Sequence, residues 1–497
     1  MKRANLLLVL LLVGLVGCTY NSLPDDMATP VAVSERGFDL TFSTRAEAFD
    51  GVELDSEYFV AEQDLESYLN YKQKHSGKKI NIKNYSAYGF DNSHTLFYVI
   101  NYDKGWEVVS ADKRTQPTLA YGDDERTFSM GADNTNEAEK LWMEMLASDV
   151  LQKRQRGKGA RTSDTEEIAN DEERAHVNYW NHISNTAISR GFIEGPVLPG
   201  DSMSGYTYAV GSVIDTVSVQ YGPFLQTHWG QEYPWNLKCP DCMGSNNKAP
   251  AGCVAVAGGQ LLYYLQQKYG ARFPIPMSCT VIGDTDSHQY TFSNTLTSAI
   301  WGAMALTADE HDPGWSDGPT QLVATALAWI GDRIEMDYGD YYSLAFSNNL
   351  MNNVFSHLGV DWQYHEGYDL TILMDKLCED KQPIYVEASQ QPNAFGHAWI
   401  VDGYQGIQTT TTTYYVTVSS PMTQEMIDFL YDIEDGRPGT PVVTLSGLVH
   451  FNWGQNGVND GYYGVLPEEW DPEEFEPSYQ YDVDIYYNFS PTILLNL

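Results

Sequence analysis

The stretch that decides the reading of this chain is Ala251-Gly252-Cys253-Val254-Ala255-Val256-Ala257-Gly258-Gly259-Gln260. A turn of small residues ends in a cysteine, and an apolar run with helical spacing follows it. Ala257, Leu261, Tyr264 and Leu265 fall on related faces, so a helix is expected from Cys253 to Lys268. A thiol at a helix N-terminus meets unpaired N–H groups and the positive end of the helix dipole, which favour its thiolate. Gly258 and Gly259 each cost about 1 kcal/mol of helix propensity relative to Ala. Their place in the second turn predicts a neighbour packed very close. Far downstream, Gly396-His397-Ala398-Trp399-Ile400-Val401-Asp402-Gly403 supplies a histidine at the start of an apolar strand. Thiol and imidazole are the two halves of a nucleophile able to attack a carbonyl.

Such chemistry also needs a donor for the developing oxyanion and something to hold the base. Thr227-His228-Trp229-Gly230-Gln231 places a glutamine 22 residues before the cysteine, where a side-chain amide can join the Cys253 N–H. Phe451-Asn452-Trp453-Gly454-Gln455-Asn456-Gly457 ends a strand and turns through glycines. Trp453 is a candidate shield for the imidazole and Asn452 a candidate hydrogen-bond partner. Each piece alone has a bland reading: a buried small hydrophobe, a surface glutamine, a satisfied core histidine, a turn with an apolar plug. The ordered set Gln231, Cys253, His397, Asn452-Trp453 is what exceeds chance.

The Trp229-Gly230-Gln231, Gly252-Cys253-Val254-Ala255, Gly396-His397-Ala398 and Asn452-Trp453-Gly454 segments resemble those of the streptopain family, secreted bacterial cysteine peptidases with a papain-like fold. The resemblance spans about residues 206–470. Residues 40–121, including Trp106-Glu107-Val108-Val109-Ser110-Ala111-Asp112, resemble the propeptide of such zymogens. The resemblance implies a dyad of Cys253 as nucleophile and His397 as proton acceptor, with Gln231 near the oxyanion hole. It implies an apolar preference just before the residue at the cut, and an N-terminal domain that blocks the cleft until removed. The expected architecture is α+β: a papain-like two-lobed peptidase domain, helical lobe plus antiparallel β lobe, behind a small α+β prodomain. Two departures stand out. Gln455 takes the place of a second tryptophan, and residues 409–441 form a long insertion before the Trp453 strand.

A chain of 497 residues calls for two or three domains, and 42% hydrophobic content supports packed cores. Lys2 and Arg3 precede an apolar run from Leu6 to Val16, too short to span a membrane comfortably. It ends in Leu15-Val16-Gly17-Cys18, the pattern of a bacterial lipoprotein signal, so residues 1–18 are an address and Cys18 the expected lipidation site. Residues 37–152 read as the prodomain, with a helix from Glu62 to Gln73, a hairpin through Asp103-Lys104 and a helix from Glu137 to Lys153. Residues 153–205, basic then acidic and without an apolar cluster, read as an exposed linker carrying the maturation cleavage. Residues 206–497 read as the peptidase domain, helices first and strands later, with a second helix from about Pro319 to Glu335. Thr409–Thr413 reads as a loop. Net charge is −5 over residues 1–161 and −33 over residues 162–497. That field excludes nucleic acid and anionic surfaces as partners and favours solubility.

With Cys18 lipidated and Cys253 catalytic, Cys239, Cys242, Cys279 and Cys378 remain, and three disulfide pairings of the four stay open. The Cys239-x-x-Cys242 pair lacks a second pair at zinc spacing, and the acidic runs lack the alternation of a calcium loop, so no metal or other cofactor is expected. Expected partners are protein or peptide substrates, the chain's own propeptide as intramolecular inhibitor, and a membrane reached through the lipid alone. Location is the bacterial cell envelope, as an exported lipoprotein. The rival reading is a non-catalytic, membrane-anchored binding lipoprotein whose 34 Tyr and 12 Trp line ligand surfaces.

Overall fold

The computed structural model describes residues 58–76, 80–89, 95–123, 137–159, 206–241, 248–270, 278–282, 287–291, 301–308, 318–389, 396–430, 433–439, 442–465 and 482–491, with isolated positions elsewhere. The signal segment lies outside the described residues, as do 160–172 with the expected cleavage region around Arg161. Among the described residues no helix is long and apolar enough to cross a membrane. The chain divides into two units, Met1–Thr135 with Met143–Ile188, and Asn136–Trp142 with Ser189–Leu497.

The first unit sets helix α1 (Glu62–Ser76) against an antiparallel meander of β1 (Ile82–Gly89), β2 (Thr95–Tyr102), β3 (Trp106–Ser110) and β4 (Thr118–Gly122). Strands β2 and β3 form the expected hairpin, closed by the Tyr102 N–H donating to the Gly105 carbonyl at 3.0 Å. Leu65, Tyr68 and Leu69 of α1 pack into a core with Ile82, Tyr98, Ile100 and Val109. Glu107 on β3 is buried there and accepts from Tyr68 Oη at 2.6 Å, Tyr102 Oη at 2.7 Å, Thr118 Oγ1 at 2.8 Å and Lys72 Nζ at 2.8 Å. A buried carboxylate is tolerable only with this degree of satisfaction.

Helix α2 (Glu137–Gly159) outruns the expected end at Lys153 and corrects the linker boundary. Arg154 is buried, donating from Nη2 to the Ala111 carbonyl at 2.7 Å and pairing with Asp112 at 3.4 Å. Composition alone marks the basic run as solvated, whereas one of its arginines neutralises a buried acid. Trp180 and Ile183 are likewise buried in the first unit's core, so the segment 153–205 is not exposed throughout.

In the second unit the first described element after Trp142 is a 16-residue strand, β5 (Tyr206–Tyr221), where helices were expected to come first. Helix α3 (Cys253–Tyr269), the hairpin β6 (Ser278–Ile282) and β7 (Ser287–Thr291), and helix α4 (Pro319–Arg333) follow. The longer of the remaining strands are β8 (Val360–His365), β9 (Ile384–Ser389), β10 (His397–Val418), β11 (Val442–Asn452), β12 (Gly461–Gly464) and β13 (Asp482–Pro491). They form an antiparallel sheet in the order β12-β11-β10-β9-β13-β8, with β5 also paired to β10. The expected loop Thr409–Thr413 is the middle of β10, paired to Val442–Thr444 of β11 on one edge and Ser212–Thr216 of β5 on the other. Five β-branched threonines suit a strand flanked on both edges. The first part of the 409–441 insertion, through Val418, therefore extends strand β10, and a short helix, Gln424–Leu430, follows it. Helices α3 and α4 lie on one face of this sheet, their core shared with Tyr385, Ala398, Ile400 and Tyr486, which gives the expected α+β class.

Helix α3 is buried on nearly every side, as its apolar run requires. Side chains added at Gly258 and Gly259 would lie 2.6 Å from Leu350 Cδ1 and 2.8 Å from Leu327 Cδ2, so the two glycines do mark close packing. Gly270 ends the helix in the left-handed conformation.

Candidate active site

Cys253 is the first residue of α3 and is half-buried. Gly252 before it has φ +86°, and a Cβ there would sit 2.4 Å from Met336 Cε, so the turn into the cysteine admits only glycine. His397 is the first residue of β10, opposite Ala388 of β9. A Cβ on Gly396 would lie 2.0 Å from the Ala388 carbonyl oxygen, which explains the glycine that precedes the histidine.

Strand β11 ends at Asn452, opposite Ile400. Beyond that point the β10 edge is open, and the Ala398 N–H donates to the Cys253 sulfur. The helix start and the strand start, 144 residues apart in sequence, therefore meet at the thiol, one residue from His397. The N–H groups of Cys253 and Val254 also point at the sulfur. Burial nevertheless dominates, pushing the thiol up to about 11, and the charge of Glu387 adds to it against these donors. Desolvation thus works against the thiolate that the helix terminus favours.

Gln231 lies alongside the same turn, its carbonyl accepting from the Ala251 N–H at 2.8 Å. Its segment interlocks with the glycine-rich turn after Trp453. The Asn456 N–H donates to the Trp229 carbonyl at 3.2 Å. His228 Nδ1 meets Asp460 Oδ2 at 3.0 Å, and Asp460 Oδ1 accepts from the Trp453 N–H at 2.9 Å. Trp453 is buried, its ring 5.3 Å from Trp399 and 4.9 Å from Phe451; Trp399 shares the strand face of His397. Gln455, where a second tryptophan was the alternative, is half-exposed.

Asn452 corrects an expectation. Its Nδ2 donates to the Thr227 carbonyl at 2.7 Å, and its Oδ1 accepts from Gln260 Nε2 at 2.9 Å and from the Gly454 N–H at 3.2 Å. The amide is spent on the protein frame and does not hold His397. Its burial at a strand end, beside a helix, sets those partners.

Four further residues escaped the sequence reading. Gln260 sits two turns along α3 from Cys253, fully buried, its Oε1 accepting from the Trp229 N–H at 3.2 Å. Glu387, on β9 opposite Ala398, accepts from Ser347 Oγ and, at 3.2 Å, from Tyr486 Oη. Glu139 in the first turn of α2 accepts from Asn459 Nδ2 at 3.0 and 2.9 Å, and Trp142 on the same helix donates from Nε1 to the Gly464 carbonyl at 3.0 Å. The Trp142 ring lies 4.9 Å from Phe451 and 6.1 Å from Trp399. No motif signals any of them. Cys378 is a buried free thiol, pushed up to about 11 by burial, so the four-cysteine pairing scheme does not hold for it.

Residues 229–463 match the family model described as the Peptidase C10 family, and residues 60–150 match that described as Spi protease inhibitor. Among solved structures, a fragment of Prevotella intermedia prointerpain A carrying a cysteine-to-alanine mutation is similar, at 20% identity and a TM-score of 0.44, over 78% of this chain and 94% of that one. Active wild-type interpain A cysteine protease of the same organism is similar at 24% identity and a TM-score of 0.35, over 54% of this chain and 94% of that one. No curated protein matches the chain.

Proposed function

We propose that this chain, whose residues 229–463 match the Peptidase C10 family model and residues 60–150 the Spi protease inhibitor model, is a cysteine peptidase zymogen whose endopeptidase mechanism is built on Cys253 and His397. The observation that carries it is the Ala398 N–H donated to the Cys253 sulfur, which sets the histidine strand against the thiol. Attack on the scissile carbonyl is coupled to transfer of the Sγ proton to His397. The tetrahedral oxyanion is held by the Cys253 N–H and the Gln231 side-chain amide. Collapse breaks the C–N bond, His397 returns the proton to the leaving amine, and a thioester remains on Cys253. Water, deprotonated by His397, then releases the acid and restores the thiol. Trp453 shields the imidazole from solvent.

The test is chemical. Casein hydrolysis by the activated protein is expected to need reductant and to vanish in Cys253→Ala, and iodoacetamide is expected to label Cys253 ahead of Cys378. Hydrolysis that survives Cys253→Ala would remove Cys253 from the mechanism.

The lipoprotein reading belongs to the same proposal: Leu15-Val16-Gly17-Cys18 directs export, and a diacylglyceryl thioether on Cys18 holds the zymogen at the cell envelope. Mass spectrometry of the N-terminal peptide is expected to find the lipid on Cys18, and Cys18→Ser to release the protein from membranes. An unmodified Cys18 in the exported protein would sink this part alone.

A further inference from the structure

Gln260 joins the three segments that converge on the thiol. It stands seven residues after Cys253, two turns along α3 and on the same face. Its carbonyl oxygen takes the Trp229 N–H at 3.2 Å, and its amide donates to Asn452 Oδ1 at 2.9 Å. Asn452 passes the connection on, to the Thr227 carbonyl at 2.7 Å and from the Gly454 N–H at 3.2 Å. Two buried side-chain amides thus tie the nucleophile helix to residues 227–229 and 452–454. The first of these leads to Gln231 and the second to Trp453.

Two amides in a core of this kind are costly if any polar group is left over, and apolar residues of the same volume would pack more cheaply. What amides add is direction. An N–H must meet an oxygen, so the register of each segment against α3 is fixed to within a hydrogen bond. Gln231 is then bracketed from both sides, by Gln260 on the Trp229 N–H and by the Ala251 N–H on its own carbonyl at 2.8 Å.

We infer that Gln260 is a positioning residue for the oxyanion site, acting through Trp229 on Gln231 and through Asn452 on Thr227, rather than on the thiol or the imidazole. The inference rests on the proposed roles of Cys253 and Gln231. It separates two rates. Alkylation of Cys253 by iodoacetamide needs the sulfur but develops no carbonyl oxyanion, whereas turnover needs both.

The experiment compares activated wild type, Gln260→Met, Asn452→Asp and Gln231→Ala on one peptide substrate, with kcat, KM and the iodoacetamide rate measured for each. Gln260→Met is expected to lower kcat by about 30-fold, less than the roughly 100- to 1,000-fold seen when an oxyanion donor is removed outright, because the donor is displaced and not lost. KM and alkylation are expected to stay within about 3-fold. Asn452→Asp still accepts from Gln260 and Gly454 but no longer donates to Thr227, and is expected to give the same split at about 5- to 10-fold. If Gln260→Met fails to fold, Asn452→Asp decides. A kcat within about 3-fold of wild type, or alkylation falling in step with kcat, overturns the role of Gln260. If Gln231→Ala itself leaves kcat unchanged, the oxyanion reading beneath the inference fails instead.

Discussion

Glu107 in the first unit and Glu139 in the second are each only 1% exposed, yet they hold opposite charge states. Burial alone pushes both carboxyls up. For Glu107 it is overcome by the charge and hydrogen bonds of Lys72 and the hydroxyls of Tyr68 and Tyr102, which hold it below the usual range. Glu139 has the Asn459 amide and, close by, another carboxylate, Asp460; burial carries it up to about 8. Depth is the same in the two sites; the partner decides the proton. The first arrangement is a fixed structural ion cluster. The second is a neutral carboxyl that holds its place only while it keeps its proton.

Removing the partner of the charged site has the largest expected effect. Lys72→Met leaves Glu107 as an uncompensated buried charge and is expected to cost the first unit about 3 kcal/mol in urea unfolding. A loss below about 1 kcal/mol would show that the tyrosine hydroxyls alone suffice.

The neutral site is broken by pH instead. Because the folded-state pKa of Glu139 is raised from its ordinary 4.5, its packing is at full strength in acid. It weakens as pH rises from about 4.5 and is lost as pH passes through about 8. Protection of the α2 amides around Glu139 and Trp142 against hydrogen exchange, corrected for intrinsic rates, is expected to fall across that window in wild type. In Glu139→Gln it is expected to stay flat. An equally steep fall in the variant would assign the effect to another group.

Glu387 gives the smallest and most local test. Burial is the main cause of the raised Cys253 thiol, with the Glu387 charge a further one. Glu387→Gln is expected to lower the thiol pKa modestly and quicken iodoacetamide labelling at pH 8 by about 2- to 3-fold. An unchanged rate would leave burial as the whole explanation.

Much of the frame was legible before any coordinates. The hairpin through Asp103-Lys104 and helix α3 follow from periodicity and turn chemistry, which are local. Gly258 and Gly259 likewise mark the close packing that their place in the helix predicts. Other readings failed where long-range pairing took over. Thr409–Thr413 is a strand because β5 and β11 flank it, and Arg154 leaves solvent because Asp112 waits inside the first unit. The amide of Asn452 was assigned to the imidazole on its place in sequence, but its partners are Gln260 and Thr227, 192 and 225 residues away.

The sequence by itself determined the helix and strand that begin at Cys253 and His397 and the resemblance to a peptidase that carries its own inhibitor, because these depend on side-chain identity and near-neighbour periodicity. The tertiary structure alone decided which groups meet. It brought the Ala398 N–H to the sulfur, set burial against the thiolate, diverted Asn452 to Gln260, and left Glu107 charged and Glu139 neutral. Desolvation and hydrogen-bond partnership are properties of surroundings assembled from distant segments, and no local pattern encodes them.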